Sequence, residues 1–156
     1  MIRIALVGDI GSGKSYISKL FNFPIFNADL EVSKIYNKDR NFYRKIKKTF
    51  PNQNFSFPLK KDELIKCILS NSKNLKKLSK IVHPIVRKKL NIFLNKNKTK
   101  KFIILDIPLY LENKLNNKND VIIFIDAKNK DIKSRLLKRK SFNEKILRLF
   151  KKIQLP

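Results

Sequence analysis

The run Ile2–Val7 is apolar at every position but Arg3, a density that predicts a short buried strand. A loop over 8–13 follows it, and then a helix from Lys14 to about Phe21. Pro24–Asn27 forms a second short strand candidate. From Ala28 to about Lys98 apolar residues recur at spacings of three and four, as in Leu64, Ile65, Ile68 and Leu69, which is the period of a helix. Pro51, Pro58 and Pro84 punctuate this stretch, with Pro84 read as the first turn of a new helix. Phe102–Ile107 and Val121–Asp126 are again dense apolar runs bounded by polar residues, the pattern of buried parallel strands. Helical segments close the order at about 129–139 and 143–152. Strand, helix, strand, helical insertion, strand, helix, strand, helix implies a parallel α/β sheet with a helical subdomain between its second and third strands and a helix between its third and fourth. No internal repeat, Gly/Ser linker or Pro-rich tract interrupts it.

The loop between the first strand and first helix reads Gly8-Asp9-Ile10-Gly11-Ser12-Gly13-Lys14-Ser15 and matches G-x4-G-K-[ST]. Glycine at these places lets backbone N–H groups turn inward around phosphates, which a Cβ would obstruct. Lys14 is expected to reach the β- and γ-phosphates of a nucleoside triphosphate and the Ser15 hydroxyl to ligate Mg²⁺. The chain has only three glycines, and all of them lie in this loop. A sequence that avoids glycine elsewhere keeps it where left-handed backbone or close approach demands it. That makes a chance match a poor account of the motif.

Other groups carry weaker signals. Phe102-Ile103-Ile104-Leu105-Asp106 is a strand ending in a carboxylate, the form that holds Mg²⁺ directly or through water. Asp29 follows the second strand, near the sheet edge where ligands bind in open α/β folds. A carboxylate there either accepts the proton of an attacking hydroxyl or caps the following helix. His83, the lone histidine, and Arg87 stand one helical turn apart and can face one anionic group, unless both are ordinary surface residues. Arg135 and Arg139 share a helical face, suited either to charge neutralisation in phosphoryl transfer or to solvation.

Charge changes the picture less than its size suggests. Lys and Arg number 37 against 12 Asp and Glu, a formal +25. Clustered cations would point to nucleic acid, but these lysines are spread over nearly every predicted helix among many asparagines, as on solvated faces. Nucleic acid is therefore not the expected partner, while a polyanionic small substrate would be steered by the same field. The single cysteine, Cys67, cannot form an internal disulfide and fits a reducing compartment. No apolar run approaches the ~20 residues of a membrane span, and the first strand runs straight into the glycine loop, unlike a signal peptide. A cytoplasmic monomer is the expected state.

Taken together, these blocks resemble dephospho-CoA kinase. Val7–Ser15 looks like that family's glycine-rich opening, and Asn27-Ala28-Asp29 sits where the family has D-A-D. His83-Pro84-Ile85-Val86-Arg87 is similar to its H-P-x-x-R segment, and Asp106–Glu112 to its D-x-P-L-L-F-E stretch. Arg135–Arg139 resembles the lid arginines, and Gln154-Leu155-Pro156 the Q-x-P that ends the lid. The resemblance covers the whole chain. It implies a P-loop NTPase fold, three-layer α/β/α, with a parallel sheet of four strands and a helical substrate subdomain plus lid. One domain over 1–156 would comprise a core (1–39 and 99–134), a substrate subdomain (40–98) and a lid (135–156).

The implied activity is ATP-dependent phosphorylation of the ribose 3′-hydroxyl of dephospho-CoA, with Mg²⁺ as cofactor. Catalytic residues would be Asp29, Lys14, Arg135 and Arg139. ATP would be bound by Gly8, Gly11, Ser12, Gly13, Lys14, Ser15 and Tyr16, the second substrate by Asp29, His83, Arg87, Pro108 and Glu112, and the metal by Ser15 and Asp106. Asp9, Tyr16, Asn27 and Lys140 depart from the family pattern. The family continues with a further strand and helix that help hold adenine, so an incomplete adenine grip and an unpaired fourth strand are expected here. Two rivals remain open at this point: a kinase of the same fold with another small acceptor, and a basic nucleic-acid-binding protein with a vestigial nucleotide site.

Overall fold

The structure is a computed structural model that describes residues 1–71, 73–138 and 143–155. Its elements run β1 (Ile2–Val7), α1 (Lys14–Leu20), β2 (Ile25–Asn27), α2 (Ala28–Lys38), α3 (Arg40–Thr49), α4 (Lys61–Ser70), α5 (Lys73–Lys96), β3 (Phe102–Asp106), β4 (Val121–Phe124), α6 (Asn129–Leu137) and α7 (Glu144–Lys151). The chain forms two compact units, one of residues 1–28 with 93–156 and the other of residues 29–92.

The first unit is built on a four-stranded sheet in the order β2-β3-β1-β4. Every neighbouring pair is parallel, with Ile4 opposite Ile104 and Val121, and Asn27 opposite Asp106. β1 and β3 hold the centre, so their apolar residues are sealed on both faces; Ala5, Leu6, Ile103, Ile104 and Leu105 have no exposed surface. Ile17 and Phe21 pack on this core beside Ile25, Phe102, Ile123 and Ile125. The parallel register brings the carboxyl ends of β1 and β3 to one edge, and Gly8 and Asp106 with them.

β4 has the same apolar composition but lies at the sheet margin. Val121, Ile122 and Phe124 are 45%, 40% and 66% exposed, so the buried strand expected from the run is half open. No helix joins β3 to β4 as the expected order had it: the connection is a series of turns, held by a charged cluster at the other end of β1. Arg3 Nη2 donates to the Tyr110 hydroxyl at 2.5 Å, to the Leu115 carbonyl at 3.0 Å and to Asp120 Oδ2 at 3.1 Å. Arg3 Nε lies 2.9 Å from Asp120 Oδ1, with the aspartate side chain only 2% exposed. Tyr110 in turn donates to Asp120 Oδ2 at 2.5 Å. Burial, followed by that bond to a carboxylate, pushes the Tyr110 hydroxyl up to about 12.

The second unit is helical. Ile35, Phe42, Ile46, Phe50, Phe55, Leu64 and Leu78 are among its buried residues. Asp39 starts α3 by accepting the Phe42 N–H at 2.8 Å, which satisfies one of the amides a helix N-terminus leaves open. Buried Asn74 donates to the Cys67 carbonyl at 2.8 Å and so fixes α5 against the end of α4. Pro84 does not start a helix: it stands inside α5, which runs unbroken through it. A proline there has no N–H to give the Lys80 carbonyl and typically costs ~3 kcal/mol in a helix interior, so packing of Leu78, Val82 and Leu90 must offset that cost.

Candidate active site

The loop from Gly8 to Gly13 needs its glycines. Their φ angles are +132°, +94° and +107° for Gly8, Gly11 and Gly13, all in territory that L side chains rarely adopt. The turn is closed by the Ser12 N–H donating to the Asp9 carbonyl at 3.0 Å. α1 begins at Lys14 with left-handed Gly13 before it and no side-chain cap. Lys14 Nζ folds back over the loop and donates to the carbonyls of Gly8 and Asp9 at 2.7 and 2.8 Å. Ser15 is exposed beside it, Tyr16 is 70% exposed, and Ser12 is buried with its hydroxyl oxygen lacking a hydrogen-bond partner.

Two further side chains close on the same loop. Arg135, in the last turn of α6, donates from Nη1 to the Ser12 carbonyl at 2.8 Å and to the Gly11 carbonyl at 3.3 Å. Arg135 is exposed as a residue, yet its guanidinium rests on the loop carbonyls. Gln154 Nε2 donates to the Gly8 carbonyl at 3.1 Å. Arg139 lies outside the described residues.

At the end of β3, Asp106 is 3% exposed and accepts a 2.6 Å hydrogen bond from Asn27 Nδ2. Register explains the contact, since Asn27 and Asp106 face each other across β2 and β3. Pro108 follows in an exposed turn. Glu112 accepts from the Leu155 backbone N–H at 2.9 Å through Oε1. Lys14, Asp106, Arg135, Pro108 and Glu112 thus belong to the sheet unit.

Asp29, His83 and Arg87 belong to the helical unit. Asp29 is the second residue of α2, exposed in its first turn. Burial and then the charge of Asp29 push the Tyr36 hydroxyl to about 12. His83 and Arg87 share a face of α5. Burial, followed by the nearby guanidinium, holds the His83 imidazole below its usual value and so favours the neutral ring. Sequence reasoning missed the Arg3–Tyr110–Asp120 cluster and the Gln154 and Glu112 contacts. The one signal available was an arginine inside an otherwise apolar strand.

Among the described residues no cluster of three or more His, Cys, Asp and Glu could hold a metal ion, and no helix is long and apolar enough to cross a membrane.

A parallel sheet that carries G-x4-G-K-[ST] between its central strand and the next helix, with a carboxylate ending the neighbouring strand, defines a P-loop nucleoside-triphosphate-binding protein. The family model for dephospho-CoA kinase matches residues 2–156. The chain belongs to the dephospho-CoA kinase family. It is 37% identical over 158 residues to the dephospho-CoA kinase of Wolbachia sp. subsp. Brugia malayi (strain TRS), covering 98% of this chain and 80% of that protein. To that of Bartonella quintana (strain Toulouse) it is 32% identical over 158 residues, with the same coverage of 98% and 80%. Among solved structures, a Thermus thermophilus protein matches with a TM-score of 0.78 and 24% identity over 99% of this chain and 81% of that one. Dephospho-CoA kinase from Campylobacter jejuni matches with a TM-score of 0.57 and 23% identity over 97% and 79%. At these identities the two structures speak for the fold.

Proposed function

We propose that this chain transfers the γ-phosphoryl group of ATP to the ribose 3′-hydroxyl of dephospho-CoA, giving coenzyme A and ADP. The observation that carries the reading is the loop itself: three left-handed glycines with Lys14 and Arg135 drawn onto its carbonyls. Family membership names the acceptor. Lys14 would move from the loop carbonyls to the β- and γ-phosphates, and Arg135 with Arg139 would offset charge on the moving phosphoryl group. Asp29 would take the hydroxyl proton as the acceptor oxygen bonds phosphorus and the bridging oxygen leaves with ADP.

The Ser15 hydroxyl and the Asp106 carboxylate are hard oxygen donors, which suits Mg²⁺, an ion that takes one or two protein ligands and completes its shell with phosphates and water. When bound, the ion would neutralise phosphate charge; the Asn27 amide meanwhile holds Asp106 in one orientation. The helical stretch 40–98, with His83 and Arg87, would bind the acceptor's phosphates together with Pro108 and Glu112, and 135–156 would act as the lid. Gly8–Gly13, Ser15 and Tyr16 would line the ATP site. Buried Cys67, a free thiol, supports work in a reducing cytoplasm.

A coupled assay of ADP release with dephospho-CoA, AMP, shikimate and gluconate tests the reading. The expected result is a preference for dephospho-CoA of at least ~10² in kcat/KM. Equal or better turnover of another acceptor would transfer the chain to a sister kinase.

A further inference from the structure

The segment after α7 returns to the phosphate loop at its first glycine. The Gly8 carbonyl oxygen accepts from Gln154 Nε2 at 3.1 Å and from Lys14 Nζ at 2.7 Å. The backbone that carries Gln154 is itself tied down, because the next residue, Leu155, donates its N–H to Glu112 Oε1 at 2.9 Å. Glu112 lies in the turns that follow β3, so both ends of this short strap rest on sheet-borne segments.

A carbonyl oxygen offers two lone pairs, and both donors use it at once. An ammonium has three donors and no acceptor. Two bonds from Lys14 already go to the Gly8 and Asp9 carbonyls, so a phosphate chain that takes more than one contact from the ammonium must draw on them. If Lys14 were the sole partner of the Gly8 carbonyl, a phosphate contact made with that N–H would strand a partly buried acceptor, and the nucleotide would lose that much affinity.

We propose that Gln154 is a positioning residue for phosphate binding: its amide keeps the Gly8 carbonyl satisfied while Lys14 turns to the nucleotide. Glu112 anchors the strap through Leu155. This rests on the phosphate-loop reading given above and adds a partner to it. Gln154 acts through Gly8 and Lys14 and needs no contact with the nucleotide.

A double-mutant cycle on ADP binding, measured by calorimetry with Mg²⁺ present, separates this role from a structural one. Gln154→Met keeps the side-chain length and removes the N–H donor. In the otherwise native chain it should weaken ADP about three- to tenfold, the range of one lost hydrogen bond. In a Lys14→Met background the same substitution should change affinity less than about twofold, because no ammonium then competes for the Gly8 carbonyl. The nucleotide-free melting midpoint of Gln154→Met should stay within about 2 °C of the parent, since Lys14 still occupies that carbonyl. Glu112→Ala, which frees Leu155, should weaken ADP in the same direction. Equal losses in both backgrounds would overturn the proposal, as would a lower nucleotide-free midpoint with unchanged ADP affinity. ADP affinity untouched by Lys14→Met alone would overturn the phosphate-loop reading itself, and the proposal with it.

Discussion

Replacing Gly8 and Gly13 by alanine, one at a time, turns the loop geometry into a measurable difference. Both positions hold positive φ, +132° and +107°, so each alanine bears a backbone strain of ~1–3 kcal/mol. Their surroundings differ. At Gly13 the nearest atom to a new methyl is Arg135 Nη1 at 3.4 Å, an ordinary contact with the end of a flexible side chain. At Gly8 the methyl would fall on the carbonyl oxygen of Ile125, with that residue's carbonyl carbon 3.2 Å and its nitrogen 3.3 Å away. These are backbone atoms, and Ile125 extends the ladder by donating its N–H to the Val7 carbonyl at 2.8 Å. Relief therefore requires the end of β4 to move, which adds an overpacking cost of ~1–3 kcal/mol. Gly8→Ala should lose ~2–6 kcal/mol against ~1–3 for Gly13→Ala. That is a large share of the ~5–15 kcal/mol that holds a domain together. In urea, with a slope of ~2 kcal/mol per molar, the Gly8 variant's midpoint should lie about 0.5–1.5 M below the Gly13 variant's. Coincident midpoints, or a Gly8 variant as stable as the parent, would refute the placement of the loop against β4.

Asp29→Asn removes a proton acceptor while leaving a polar residue in the first turn of α2. Stability should fall by no more than the ~0.3–1 kcal/mol of an exposed charge–dipole term, while phosphoryl transfer should fall ~10²–10⁴-fold, read by melting and by the coupled assay on one preparation. Because His83 is held below its unfolded value of 6.5, the unfolded chain binds the proton first as pH falls. Stability should therefore be lost below about pH 6.5, and His83→Gln should flatten the melting profile between pH 7 and 5. Asp120→Ala leaves the Arg3 guanidinium without its buried counter-charge and should cost ~3–5 kcal/mol in urea unfolding. Tyr110→Phe, which removes one hydroxyl from the same cluster, should cost ~0.5–1.5 kcal/mol.

The strands, the glycine loop and the helical insertion were legible because each is written locally, in apolar runs and in glycines confined to one place. Asp106 could be read at a strand end, but its partner Asn27 could not, since the contact depends on which residue the parallel register sets opposite. Val121–Phe124 reads like a central strand from its composition, because Val-Ile-Ile-Phe is the same text in either place; the expectation of an open edge came from the family resemblance, and the order β2-β3-β1-β4 puts the strand at the margin. Pro84 looked like punctuation because a proline's local cost is visible in the sequence and the packing that offsets it is not. Arg3 and Asp120 stand 117 positions apart, beyond any periodicity. Arg135 was ambiguous in a chain of 37 basic residues, and only its distance to the loop carbonyls distinguishes it.

The strand that carries the phosphate loop is also the one that must wait longest during synthesis. β1 finds its hydrogen-bonded neighbours in β3 and β4, with Ile2 opposite Phe102 and Val7 opposite Phe124. On a ribosome adding ~5–20 residues per second, the Ile2–Val7 run therefore spends roughly 5–20 s outside or near the exit tunnel with no sheet to join. Residues 29–92, whose contacts close among themselves, can collapse in that interval. Arginine within it, at Arg3, keeps that waiting run from being wholly apolar.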